Sequence, residues 1–213
     1  MLLKFEEKIM RKCILLSVFL LGLCGCGGGK QQQQTGFLSD YSRLQRRSST
    51  SYRYASTPER LGEYSKFIVD PVQIRFYSGS KAEKSKISSA DLTKLQNYTR
   101  QSMVNALSDR YEIVTRSGDD VARIRVALTD LQKSKAYLNI TPASKATGAG
   151  LGAASMEAEI VDSQSGRQMR AIVETQTGNR LSFDGLTRWG DVKSVIDKWS
   201  AELRKRIDQA HGY

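Results

Sequence analysis

Two rhythms of apolar and polar positions run through the chain from Tyr64 onward, one of period two and one near 3.6. Phe67-Ile68-Val69 is a short apolar run, after which Val72, Ile74 and Phe76 alternate with Gln73, Arg75 and Tyr77. That is strand periodicity, with Pro71 demanding an edge or a bulge. Ser88-Ser89-Ala90-Asp91 is a capping signal, and Leu92, Leu95, Met103, Ala106 and Leu107 then share one helical face. Tyr111 to Thr115 reads as a short strand and Gly118-Asp119-Asp120 as a turn. Ile124, Val126 and Leu128 next alternate with Arg123, Arg125 and Thr129. After a long polar connection that includes the glycine-rich 147–152, Met156, Ala158 and Ile160 alternate with Glu157, Glu159 and Val161. Asp162 to Gly166 turns the chain into a β-rich run from Met169 to Thr177, so these two runs form a hairpin. Val192, Val195, Ile196, Trp199, Leu203 and Ile207 close the pattern at helical spacing, opposite Lys193, Lys198, Arg204, Lys205 and Asp208. Asp191 stands where it can cap this last helix and complement its dipole, and Trp189 where it can staple the helix entrance to the core.

Two helices with one apolar stripe each must bury that stripe, and the alternating strands offer one apolar sheet face. The pattern therefore predicts a single α+β domain over 64–213, a largely antiparallel sheet with both amphipathic helices packed on one face. The opposite face would carry Arg75, Arg123, Arg125, Glu157 and Glu159, either as cross-strand ion pairs or as an anion site; ion pairs are the simpler expectation.

The first 63 residues follow neither rhythm. Arg11 and Lys12 precede a short apolar core from Ile14 to Leu23, a pattern of secretory leaders, with about half the roughly 20 residues a spanning helix needs. Translation starts at Met1 or at Met10. A leader that ends at a cysteine resembles the lipobox of bacterial lipoproteins. Cys26 follows a small residue, Gly25, whereas Cys24 follows the large Leu23, so residues 1–25 are the expected leader and Cys26 the expected lipidation site. Residues 26–36, rich in Gly and Gln, read as a tether. Residues 37–63 read as an extended basic arm, in which an isolated cluster (Phe37, Leu38, Tyr41, Leu44) docks along the surface of the following domain. Arg43, Arg46, Arg47 and Arg53 make the arm basic.

Charge and composition narrow the chemistry. The chain carries a formal charge of +11, and its three cysteines, Cys13, Cys24 and Cys26, all lie in or at the end of the leader. The exported chain thus keeps no thiol for a disulfide, a metal cluster or a nucleophile. Its one histidine, His211, is expected in a solvated tail. Ser-His-Asp, Cys-His and His-rich zinc sites are out of reach, so no catalytic triad, no metal and no cofactor are expected. Glu157 and Glu159 lie roughly 6–7 Å apart along one strand, a spacing carboxylate hydrolases also use. Gly148, Gly150 and Gly152 precede a strand and not a helix, so they do not make a dinucleotide fingerprint. Export turns the positive charge toward anionic envelope polymers or lipids and away from nucleic acid, unless it serves solubility alone.

Several fragments together resemble a family of Gram-negative bacterial lipoproteins catalogued as a domain of unknown function. They are 36–41 (GFLSDY), 69–72 (VDPV), 125–131 (RVALTDL), 156–159 (MEAE), 162–166 (DSQSG) and 189–192 (WGDV). The resemblance implies a membrane-anchored protein facing the periplasm and supplies no activity. Gly27 after the lipidated position is similar to lipoproteins sorted to the outer membrane. Three functions stand as expectations. The first is a non-enzymatic binding or assembly module touching an envelope protein or anionic polymer through Phe37, Leu38, Tyr41, Arg43, Arg46 and Arg47. The others are a hydrolase acting through Glu157 and Glu159, and a structural component of an envelope complex.

Overall fold

The computed structural model describes residues 34–56, 58–135, 150–179 and 187–213. The expected leader, the expected lipidation position Cys26, most of the expected tether and much of the 136–152 connection lie outside the described residues. Eight strands form one open sheet: β1 (Gln45–Arg46), β2 (Ser51–Ala55), β3 (Lys66–Val69), β4 (Gln73–Ile74), β5 (Glu112–Ile113), β6 (Val121–Gln132), β7 (Ala153–Asp162) and β8 (Gln168–Thr177). Four helices are described: α1 (Pro58–Gly62), α2 (Lys81–Lys84), α3 (Ser89–Leu107) and α4 (Gly190–Ala210). The fold is α+β, as the periodicity predicts.

Strand order is β1-β2-β8-β7-β6-β3-β5, with β4 also paired to β6. The β6-β7-β8 meander and the β2-β8 and β1-β2 pairs are antiparallel, while β3 and β4 run parallel to β6 and β5 parallel to β3. The parallel pairs follow from the connectivity: α3 carries the chain across the sheet between β4 and β5, the crossover that parallel strands require.

Parity sorts the side chains. On β6 and β7, Ile124 pairs Ile160, Val126 pairs Ala158 and Leu128 pairs Met156, all on the face that α3 and α4 cover. A bulge between Leu128 and Asp130 inserts one residue, which returns Leu131 to that same face three positions after Leu128. Leu95, Met103 and Leu107 of α3, together with Val192, Val195, Ile196, Trp199 and Ile207 of α4, complete the core there. Ser88 accepts the Asp91 amide at 3.2 Å and so caps α3 as expected.

Three expectations need correction. Residues 37–63 do not stand as an arm before a domain beginning at 64. β2 from this stretch extends the sheet beyond β8, with Arg53 opposite Ile172, and α1 packs against α4. Ser-Tyr-Arg-Tyr-Ala is a period-two strand that its arginine disguises.

The α4 cap is Trp189, without a side-chain bond, and not Asp191. Asp191 is wholly buried in the first turn, where its Oδ2 accepts from Ser134 Oγ at 2.8 Å and the Gly152 amide at 2.7 Å. A Cβ at Gly178 would fall 2.3 Å from its Oδ1, so a glycine there is what lets this carboxylate seat. The close contacts tie α4 to both ends of the β7-β8 hairpin, and the negative charge still complements the helix dipole.

Finally, His211 is half-buried and not a loose tail. Its ring nitrogens lie 2.8 Å from the Ile207 carbonyl and 3.1 Å from the Tyr64 carbonyl, and its ring 5.2 Å from that of Tyr111.

Candidate functional site

The face away from the helices is expected to carry arginine–glutamate pairs or an anion site. One such pair forms: Arg125 Nη1 donates to Glu159 Oε1 from the directly opposite position on β6. Arg123 turns instead to Asp70, at 2.7 Å, and Arg75 to the Gln73 amide oxygen, at 3.1 Å. Glu157 has no cationic partner among the described residues. Both glutamates are buried, Glu157 at 0% and Glu159 at 2% exposure.

Residues 35–41 bury them. Glu157 accepts the Thr35 amide at 2.8 Å on Oε1, and the Thr35 hydroxyl at 2.9 Å on Oε2. The Tyr41 hydroxyl also donates to Oε2. Glu159 Oε2 accepts the Ser39 amide at 2.9 Å, the Ser39 hydroxyl at 2.8 Å and the Gln168 side-chain amide at 2.8 Å. Burial, and then the bond to Glu157, pushes the Tyr41 hydroxyl up to about 12. The same hydroxyl accepts the Leu38 amide at 3.1 Å, so it links the strap's backbone to the sheet's carboxylate.

Phe37 and Leu38 fill the apolar ground between these clasps, each 5% exposed, against Ala127, Ala171 and Val173, with Tyr52 and Tyr54 of β2 alongside. Burial of two such side chains stabilises the strap by about 1.5–3 kcal/mol each. Phe37, Leu38 and Tyr41, expected at a partner contact, therefore face inward and act as the chain's own cover. The docking of this cluster on the domain is as expected; its availability to a partner is not. Arg43 is held by Asp40 at 2.9 Å and lies 4.2 Å over the Tyr54 ring. Arg43, Arg46 and Arg47 are all exposed, and Arg46 and Arg47 are the two without a carboxylate partner among the described residues. The missed role of Glu157 and Glu159 had two signals: an apolar pair, Phe37-Leu38, that needed a surface, and an alternating strand pair whose polar side is only partly charged.

With their acceptor sites filled by backbone amides and hydroxyls and with solvent excluded, the two carboxylates are arranged to hold a segment. Neither faces an open space in which a substrate and a water could stand between them, as acid–base hydrolysis requires.

One opening among the described residues lies on the other face, over the strands from β6 to β2. A cavity of about 410 Å3 sits between the sheet and α4. Its floor is Val126, Met156, Ala158 and Ile172, and Trp199 and Leu203 of α4 form the wall. Ala158, Ile172 and Leu203 are only partly buried, so apolar surface remains open there. Four arginines, Arg47, Arg53, Arg170 and Arg206, stand with Glu174 and Glu202 around it. Among the described residues no three His, Cys, Asp or Glu side chains converge on a metal position, and no helix is long and apolar enough to cross a membrane.

Comparisons with known proteins agree with the sequence resemblance. The chain is similar to the uncharacterized lipoprotein YdcL of Escherichia coli (strain K12), 24% identical over 86% of this chain and 90% of that one. Among solved structures it is similar to the PelC dodecamer subunit from Paraburkholderia phytofirmans, at 13% identity and a TM-score of 0.42 over 74% of this chain and 96% of that one. It is also similar to lipoprotein GNA1162 from Neisseria meningitidis, at 8% identity and a TM-score of 0.29 over 65% and 96%. Neither structural likeness bears on assembly or ligand. The model of the family described as protein of unknown function (DUF3313) matches residues 33–203, from the strap to the last helix, and the chain belongs to that family.

Proposed function

We propose that this chain is an envelope lipoprotein, anchored through acylated Cys26, whose sheet domain is a non-enzymatic binding or assembly module on the periplasmic side of the outer membrane. One observation carries the binding reading. The carboxylates that offered the best acid–base pair are consumed in holding residues 35–41, while an open, mainly apolar cavity rimmed by arginines paired in part with Glu174 and Glu202 stands on the other face. Concave apolar sites with a few charged groups at the edge are the usual form of a ligand site.

The strap supports the anchoring half of the reading. Thr35, pinned to Glu157, stands nine residues after Cys26. Nine residues span no more than about 32 Å at full extension, which bounds the distance between the sheet and the bilayer. Exposed Arg46 and Arg47 would then meet anionic headgroups or an anionic envelope polymer.

Mass spectrometry of the N-terminal peptide tests the anchor: the expected product begins at an acylated Cys26, and Cys26→Ala abolishes incorporation of labelled palmitate. An unmodified thiol at residue 26 in membrane-fractionated protein would overturn it. For the module, in-cell crosslinking and ligand capture with the native protein are expected to return a stoichiometric partner or a bound small molecule. Turnover of an envelope polymer that disappears in a folded Glu157→Gln/Glu159→Gln protein would favour the hydrolase instead.

A further inference from the structure

We infer that the cavity between the sheet and α4 binds a single acyl chain that carries an anionic head, with the chain on the Val126–Met156–Ala158–Ile172 floor and the head against Arg170. This deepens the binding-module reading and rests on it. Two observations converge on that ligand. The first is shape and polarity: about 410 Å3, within the range of roughly 300–1,000 Å3 typical of small-molecule sites, and apolar across both floor and wall. Partly exposed Ala158, Ile172 and Leu203 are apolar surface that a hydrocarbon would remove from water.

The second is charge. Arg53 is neutralised by Glu174 at 3.1 Å and Glu202 at 3.7 Å, and Arg206 by Glu202 at 2.5 Å. Arg170 has no carboxylate within ion-pair distance among the described residues; its Nη1 donates to the Ser56 carbonyl at 2.8 Å, which fixes the guanidinium without cancelling its charge. Arg47 likewise lacks a carboxylate partner there. Burial and then the neighbouring Arg206 press the Arg170 pKa downward. A planar guanidinium presents paired donors that match a carboxylate or phosphate.

Trp199, 3% exposed, forms part of the wall. A neutral apolar ligand would leave Arg170 unpaired, and a purely polar anion would leave the floor dry and unfilled. A second protein segment in the cavity is the competing occupant.

Trp199 also supplies the probe. The chain has two tryptophans, so a Trp189→Phe background isolates the one in the cavity wall. In that protein, full length and held in phosphatidylcholine vesicles, brominated decanoate is expected to quench Trp199 saturably, with unlabelled decanoate competing. Arg170→Gln should weaken binding by about tenfold, and Ala158→Leu, which shortens the floor space, should remove it while thermal unfolding stays cooperative. Decanol, with the same chain and no charge, should compete poorly. A single-chain phosphatidylglycerol competing better than decanoate would identify a phospholipid source; the reverse would identify free fatty acid. Quenching that never saturates and ignores Arg170→Gln would mean partition into the vesicles only, and would overturn the inference. Equal competition by decanol would overturn the role of the head. A crosslinked stoichiometric protein together with an unquenched Trp199 would leave the module standing and sink the lipid assignment; failure of both would sink the two together.

Discussion

The two faces of the sheet are closed by opposite means. On the helix face, α3 and α4 bury Ile124, Val126, Leu128, Met156 and Ile160 by apolar packing, with a cavity left between α4 and the sheet. On the strap face, an irregular segment without a helix or a long strand is fastened by two buried carboxylates that accept its backbone amides and hydroxyls. The difference teaches how an irregular segment can be made a fixed part of a fold. Such a segment leaves its amides without ladder partners, and a buried carboxylate satisfies two or more at once.

The comparison can be broken from either side. Leu128→Ala, in the middle of the helix face and wholly buried, should lower the unfolding free energy by about 2–5 kcal/mol in denaturant titrations. Glu157→Gln should lower it by about 1–3 kcal/mol, because an amide presents a donor where Thr35 and Tyr41 already donate. The apolar substitution should collapse the domain as a whole; the polar one should free the strap first, seen as new proteolytic cleavage between residues 34 and 44.

Tyr41→Phe should cost about 1 kcal/mol, with a distinctive pH signature. The Tyr41 hydroxyl is raised from 10.0 to about 12 in the folded protein. Its neutral form is therefore favoured by folding, so its contribution is complete below pH 10 and is lost as pH climbs from 10 to about 12. Tyr64, Tyr77 and Tyr111 are raised as well. The difference between wild type and Tyr41→Phe in alkaline unfolding isolates the strap's share. Arg43→Ala should have the smallest effect, about 0–1 kcal/mol, since Arg43 pairs with Asp40 at the surface.

Much of the helix face was legible because its elements are long and strictly periodic. The β6-β7-β8 meander and the stripes of α3 and α4 announce both the strands and the side of the sheet that is buried. β2 was hidden because Arg53, flanked by Tyr52 and Tyr54, reads as part of a basic arm; only pairing with β8 makes it a strand. The parallel pairing of β3 and β5 depends on where α3 returns the chain, a tertiary fact without a local mark. The roles of Glu157 and Glu159 were half visible. Their alternation with Met156, Ala158 and Ile160 assigns them to one face, and Arg125 is the expected partner of Glu159. That the face is covered follows from Phe37 and Leu38, more than a hundred residues away in sequence, whose need for burial names no destination. Asp191 misled for a related reason: an acid at a helix start usually caps it, and here Ser134 and Gly152 claim it first.

Amide hydrogen exchange at Thr35 and Ser39 tests the central claim most directly, since these amides donate to Glu157 and Glu159 and to nothing in a strand ladder. Slow exchange in the wild type, becoming fast in Glu157→Gln/Glu159→Gln while the β6-β7 amides stay protected, is the predicted result. Fast exchange of both amides in the wild type, or protection that survives the double substitution unchanged, would contradict the account of the two carboxylates as clasps.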